Sequence, residues 1–213
     1  MKKIISLLSL LTLLSVTSVK AEMSYGIGFM AGKLSASGTE TEGTESDSSD
    51  REKSFDEVFA GADVFVETEL SNGYTVGLSY VPVDVEIGSG ERVDSSAGAD
   101  VAAEADTGTR TAKAELTDLL TLYTNIPFGN EGGYALAGLH YTKVKTAETL
   151  PNSSYGDENI YGAQLGVGSK RGNKKFEIFY SKFEDIEISS TGGNSNSIKA
   201  DADALTVRYS IGF

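Results

Sequence analysis

The last nine residues of the chain alternate without a break, with Leu205, Val207, Tyr209, Ile211 and Phe213 at odd positions and Thr206, Arg208, Ser210 and Gly212 between them. Successive side chains of a strand point to opposite faces, so this segment presents one wholly apolar side and one polar or small side. Strand two repeats the pattern, with Val58, Ala60, Ala62, Val64 and Val66 set against Phe59, Gly61, Asp63, Phe65 and Glu67. So does a run in which Tyr161, Ala163, Leu165 and Val167 alternate with Gly162, Gln164, Gly166 and Gly168. A period of two excludes amphipathic helices, and the fold class it predicts is all-β.

Eight such stretches can be placed, near 23–35, 56–70, 74–87, 112–126, 133–145, 159–169, 174–188 and 201–213. The connections between them alternate in length. Residues 36–55, 88–111, 146–158 and 189–200 read as long polar loops, whereas 71–73, 127–132 and 170–173 read as tight turns rich in Gly and Asn. An even number of antiparallel strands with long loops on one side and short turns on the other is the signature of an up-and-down transmembrane β-barrel. The expected architecture is therefore eight-stranded, with long extracellular loops, short periplasmic turns and both termini on the periplasmic side. Lipid solvates no backbone group, so a spanning sheet has to close on itself.

The first 21 residues stand apart. Lys2 and Lys3, the leucine-rich stretch Ile4 to Val16 and the sequence Val19-Lys20-Ala21 read as a cleaved signal peptide, which leaves residues 22–213 as the barrel domain. The apolar stretch is shorter than the roughly 20 residues of a spanning helix. The chain holds no cysteine, which excludes a disulfide framework, a thiolate metal site and lipid attachment through a cysteine. Its formal charge of −13, made more negative by loss of Lys2, Lys3 and Lys20, argues against nucleic acid as a partner.

A soluble sandwich also alternates, and girdles of aromatic residues at both edges of the apolar face separate a barrel from it. Tyr74, Phe176, Phe213 and Tyr25 are placed at the short-turn edge, and Tyr80, Tyr141, Tyr161 and Phe183 at the other. Two stretches break phase. Asp118 shares its register with Leu116, Leu120 and Leu122, which predicts either a bulge or a position above the hydrocarbon. Pro82 lacks a ladder donor, and a bulge there would turn Val83, Val85 and Ile87 to the opposite parity.

The segments Tyr25-Gly26-Ile27-Gly28-Phe29, Tyr134 to Tyr141, Tyr161 to Gly166 and Tyr209-Ser210-Ile211-Gly212-Phe213 together give the chain a resemblance to the small outer-membrane β-barrel proteins of the opacity and Lom/Ail-like type. The ending, with Leu205, Val207, Tyr209, Ile211 and Phe213, resembles the terminal signal read by the outer-membrane barrel assembly machinery. The resemblance implies an eight-stranded barrel in the bacterial outer membrane, without cofactor and without a shared catalytic set. Its adhesive members differ from this chain, whose loops are acidic and nearly free of aromatics.

A barrel of eight strands is just wide enough to be filled by side chains, so charges that point inward must pair. On the inward parity, Asp63, Glu67, Glu177 and Arg208 are expected to form a polar network in the lumen with Arg208 at its hub. Such a network could be an ion path, but the lumen size favours a plug. His140, the single histidine, would be a general base only beside a nucleophile, and no serine motif lies near it in sequence. Gly26-Ile27-Gly28-Phe29-Met30-Ala31 matches a dinucleotide fingerprint but lacks the strand before it and the helix after it. Glu40, Glu42, Glu45, Asp47, Asp50, Glu52, Asp56 and Glu57 make residues 36–57 acidic, yet the spacing of a dedicated calcium loop is absent.

The function that follows is that of a non-enzymatic, monomeric outer-membrane protein, contributing to envelope integrity or surface interaction through acidic loops. Its partners would be outer-membrane lipids, lipopolysaccharide and the assembly machinery, with no metal or cofactor. The alternatives are a narrow pore for small ions or hydrophobic solutes and a lipid-modifying barrel enzyme centred on His140.

Overall fold

The computed structural model describes residues 22–41, 51–82, 84–94, 108–129, 131–149, 153–192 and 197–213, so the signal peptide lies outside the described residues. Among the described residues every regular element is a strand: β1 (Glu22–Thr41), β2 (Arg51–Glu69), β3 (Thr75–Val81), β4 (Val85–Asp94), β5 (Gly108–Phe128), β6 (Gly133–Glu148), β7 (Ser153–Tyr155), β8 (Glu158–Arg171), β9 (Lys174–Phe183), β10 (Ile186–Gly192) and β11 (Ser197–Gly212). The ladders run β1-β2-β3-β5-β6-β8-β9-β11, and β11 returns to pair with β1, which closes a ring of eight antiparallel strands. β4 pairs with β5, while β10 pairs with β11 and β7, extending the barrel wall at one end.

The start of β1, the end of β11 and the three short turns share one end of the barrel. Gly73 and Gly132 there have positive φ, which a residue with Cβ adopts at a cost, and a Cβ on Gly132 would also strike the Lys170 carbonyl. At the same end the backbone N–H of Phe213 donates to the Tyr25 carbonyl at 2.7 Å.

The opposite end rises higher than the sequence pattern predicts. β1 runs to Thr41 and β2 begins at Arg51, so the expected loop 36–55 is largely strand. Strand also enters 88–111, 146–158 and 189–200, where β4, β5, β6, β7, β10 and β11 hold residues. The reason is an exchange of polarity between the two faces. In the lower part of β11, Leu205, Val207 and Tyr209 are exposed outward, and Thr206, Arg208 and Ser210 are buried inside. Higher up, on the same parity, Lys199, Asp201 and Asp203 face out, while Ala202 and Ala204 are buried and Ile198 and Ala200 pack beside them. The wall thus changes from apolar outside and polar inside to the reverse, and the apolar stripe that marks a spanning strand stops where the strand itself continues.

The inward side chains of this upper part form one apolar core, in which Leu34, Ile87, Leu116, Val144, Ile160, Phe183, Ile186 and Ile188 meet. Ile87 therefore points inward with Val85 packed against it, which corrects the parity expected after Pro82: β3 buries Val81, and the break before β4 restores the same inward set. The irregularity in β4 falls between Glu86 and Gly88. At Asp118 the bulge is the alternative realised. The β5–β6 register slips between Thr117 and Leu120, and Asp118 has φ 56°. Before it Leu116 is inward; after it Thr121, Tyr123 and Asn125 are. The Tyr80 hydroxyl donates to Asp118 Oδ1 at 2.8 Å, and the Thr142 hydroxyl to the Thr117 carbonyl at 2.8 Å.

Candidate functional site

The polar half of the lumen is built from odd positions on β2, β5 and β9 and even positions on β1, β6 and β11. Arg208 is its centre. The guanidinium donates from Nε to Asp63 Oδ1 at 3.0 Å, from Nη2 to Asp63 Oδ2 at 2.6 Å and from Nη1 to Glu177 Oε2 at 2.8 Å. Glu177 is its ladder neighbour on β9, but Asp63 lies on β2, with β1 in between. The crossing is possible because Gly28 stands opposite Asp63 in the ladder, and a Cβ there would overlap both the Asp63 carboxylate and the Arg208 guanidinium.

Glu67 makes a second group one step closer to the short turns. It accepts from Lys175 Nζ at 2.5 Å and from the Tyr123 hydroxyl at 2.8 Å. The Tyr134 hydroxyl donates to Glu177 Oε1 at 2.8 Å. Phe65 bridges the two groups, with Lys175 Nζ 4.6 Å and the Arg208 guanidinium carbon 5.1 Å from its ring centroid. All five charged side chains are buried, Glu177 completely. Three carboxylates against two cations leave one negative charge in excess when all are ionised, and the two phenol donors help to solvate it. Lys175 escaped the sequence reading although it falls within the expected strand 174–188; its shared parity with Glu177 was the usable signal. Tyr123 was hidden by the phase change at Asp118.

Above this layer sits His140, with Nδ1 2.8 Å from Thr121 Oγ1 and Nε2 3.0 Å from Ser181 Oγ, its ring stacked 5.5 Å from that of Phe183. Both ring nitrogens are thus taken by hydroxyls and neither by a carboxylate, which is not the Ser-His-acid arrangement of a nucleophilic enzyme. Phe183 corrects the aromatic girdle. It shares the inward parity of Glu177 and is buried in the core, the opposite face from Phe176. Tyr74, Tyr80, Tyr141 and Phe176 are exposed on the outside, and Tyr161 lies beside Tyr141 with ring centroids 5.6 Å apart. Leu205, Val207, Tyr209 and Phe213 are likewise exposed, with Ile211 half-buried beside them.

Between His140 and the apolar core lies a cavity of about 70 Å³. Among the described residues no three His, Asp or Glu side chains gather to hold a metal ion. The acidic residues between 42 and 50, and those between 95 and 107, lie outside the described residues.

No protein-family model matches the chain, and no curated protein matches its sequence. Solved structures do match in shape. The outer membrane protein AlkL, determined by solid-state NMR in lipid bilayers, is 12% identical, with 93% of this chain and 94% of that one covered at a TM-score of 0.54. Neisserial surface protein A is 9% identical over 87% of this chain and 97% of its own, with a TM-score of 0.42. Ail, the attachment invasion locus protein of Yersinia pestis, is 11% identical over 84% and 98%, with a TM-score of 0.32. At these identities the likeness concerns the fold alone, and it is the AlkL comparison that carries it. An all-β ring of eight antiparallel strands with an apolar outer band is the fold of the small outer-membrane β-barrels, and the chain has that fold.

Proposed function

We propose that the protein is an integral, non-enzymatic barrel of the bacterial outer membrane that contributes to the envelope as a closed structural and surface element. The observation that carries this reading is the lumen. A layer of five buried charges and, above it, a continuous apolar core fill the space that a water path would need. Aqueous channels accompany about 16–18 strands, whereas eight leave an interior narrow enough for side chains to block. A bare ion forced through the upper core would exchange its hydration for mostly apolar side chains.

In this reading the export signal directs the chain across the inner membrane, the terminal strand presents Phe213 to the assembly machinery, and lipid and lipopolysaccharide surround a monomer. The acidic segments, Glu40 to Glu57 among them, meet the exterior. Two measurements test it. The purified protein in detergent should migrate faster on gels before heating than after, as a closed barrel does, and should give no reproducible conductance steps in planar bilayers. Steady steps altered by Arg208→Ala would replace this reading with that of a pore.

A further inference from the structure

The ring is incompletely laced. β2 pairs with β3 only from Val64 to Glu69, and β4 pairs with β5 alone, so the upper part of β2 and the free edge of β4 face each other with no ladder between them. The seam starts beside Pro82, which has no N–H to donate. At its upper end Lys53 donates to the Ser89 carbonyl and ties the two edges together. Its lower end is flanked by small residues, Ala60, Gly61 and Ala62. Through the β1 ladders Ala60 stands level with Ala31 and Val207, within the apolar outer band.

The 70 Å³ cavity opens toward this seam. Its lining includes Ala60, on the outward parity of β2, as well as Gly61 on the inward parity, so it passes beside the edge of the strand. Phe59, Val81, Leu116 and Phe183 supply apolar walls, Thr121, His140 and Ser181 form a polar wall, and the Asp63–Arg208 pair closes the lower side. A neutral imidazole has one donor and one acceptor nitrogen. Whichever tautomer is present, one of the two hydroxyls receives the ring N–H and keeps its own hydrogen unspent. The cavity is less than half the roughly 150 Å³ of an apolar protein cavity that admits benzene. It has room for a head group, while a tail would lie out through the seam in lipid.

We propose that the seam and cavity form a side-opening site for a neutral, apolar molecule with one acceptor oxygen, a medium-chain alcohol or ketone, drawn from the surrounding hydrocarbon. The hydroxyl pair on His140 reads the oxygen. A hydrocarbon would leave that donor unanswered, and a carboxylate would find the Arg208 charge beside it already taken up by Asp63 and Glu177. The site rests on the membrane-spanning reading above.

His140 is the single histidine, so its imidazole gives one reporter signal. The test follows the 15N resonances of that ring in lipid nanodiscs during addition of 1-octanol, octane or octanoate. The expected result is a saturable shift with 1-octanol, a response about tenfold weaker with octanoate, equivalent to ~1.4 kcal/mol, and none with octane. Ala60→Phe, which fills the mouth from the lipid side, should abolish the 1-octanol response. A ring signal indifferent to 1-octanol, an equal response to octane, or an undiminished response in Ala60→Phe overturns the proposal. The wild-type series decides even where the variant does not assemble. Loss of heat-modifiable mobility defeats the membrane reading separately, before any ligand is added.

Discussion

Arg208 and Asp63 are joined across an intervening strand: two hydrogen bonds, at 3.0 and 2.6 Å, pass over Gly28 of β1. The lumen is therefore braced along three adjacent staves by one guanidinium, which also reaches Glu177 on the far side.

Removing that hub should be the most damaging single change in the lumen. Arg208→Met leaves two buried carboxylates without their cation, and breaking a buried pair from one side costs about 3–5 kcal/mol. Urea unfolding in lipid vesicles measures the loss. Adding Asp63→Asn and Glu177→Gln to the same chain should recover most of it, because the unpaired charges are then gone.

Gly28→Ala tests the crossing itself. The new methyl group would occupy the space in which the carboxylate and guanidinium meet, so the expected loss is about 1–3 kcal/mol. Combining it with Arg208→Met should cost less than the sum of the two separately, since the contact is then already broken. Strict additivity would show that Gly28 matters for another reason.

Asp118 holds the β5 bulge at φ 56°. Asp tolerates this conformation better than alanine does, and glycine is free of the penalty altogether. Asp118→Ala should destabilise by about 1–2 kcal/mol, whereas Asp118→Gly should lose only the bond from Tyr80 and fall close to Tyr80→Phe. The same urea titrations rank the three variants.

Asp157 offers a pH test outside the strands. The hydrogen bond from Lys143, at 2.5 Å, together with the charge of that ammonium group, holds its carboxyl below the ordinary value of 3.8. A depressed pKa means the pair favours the folded form above the ordinary value, and this support disappears as pH falls through the lowered one. Carboxyl NMR titration should find Asp157 below 3.8, and Lys143→Met should return it upward. An unchanged midpoint in the variant would assign the shift elsewhere.

The parts of this structure that were legible in the sequence are those where lipid faces one side of the wall. Leu205 to Phe213 and Val58 to Val66 alternate because hydrocarbon requires it, and the inward set that contains Asp63, Glu67, Glu177 and Arg208 follows from parity alone. Legibility failed where the solvent changed. In residues 197–200 the outward side chains are polar and only Ile198 and Ala200 face inward, so the strand resembles a loop although its ladder to β1 is unbroken. Phe183 was misplaced because an aromatic near a strand end suggested a girdle, when its odd position put it with Glu177. The Thr121–His140–Ser181 contact joins residues on three strands, and no local motif announces it.

The upper wall has a consequence for charge. From Leu205 to Ser197 the wall climbs roughly 20 Å beyond the last outward-facing apolar residue, at about 3.4 Å per residue and a tilt near 40°. In physiological salt the field of an exposed charge fades over about 8 Å. On the membrane-spanning reading proposed above, the barrel is a pedestal: it carries Thr41 and Arg51, the ends of β1 and β2, more than two screening lengths above the anionic bed in which it would stand. A charge held at that height, such as Glu40, can then share a membrane with negatively charged lipid without being driven from it.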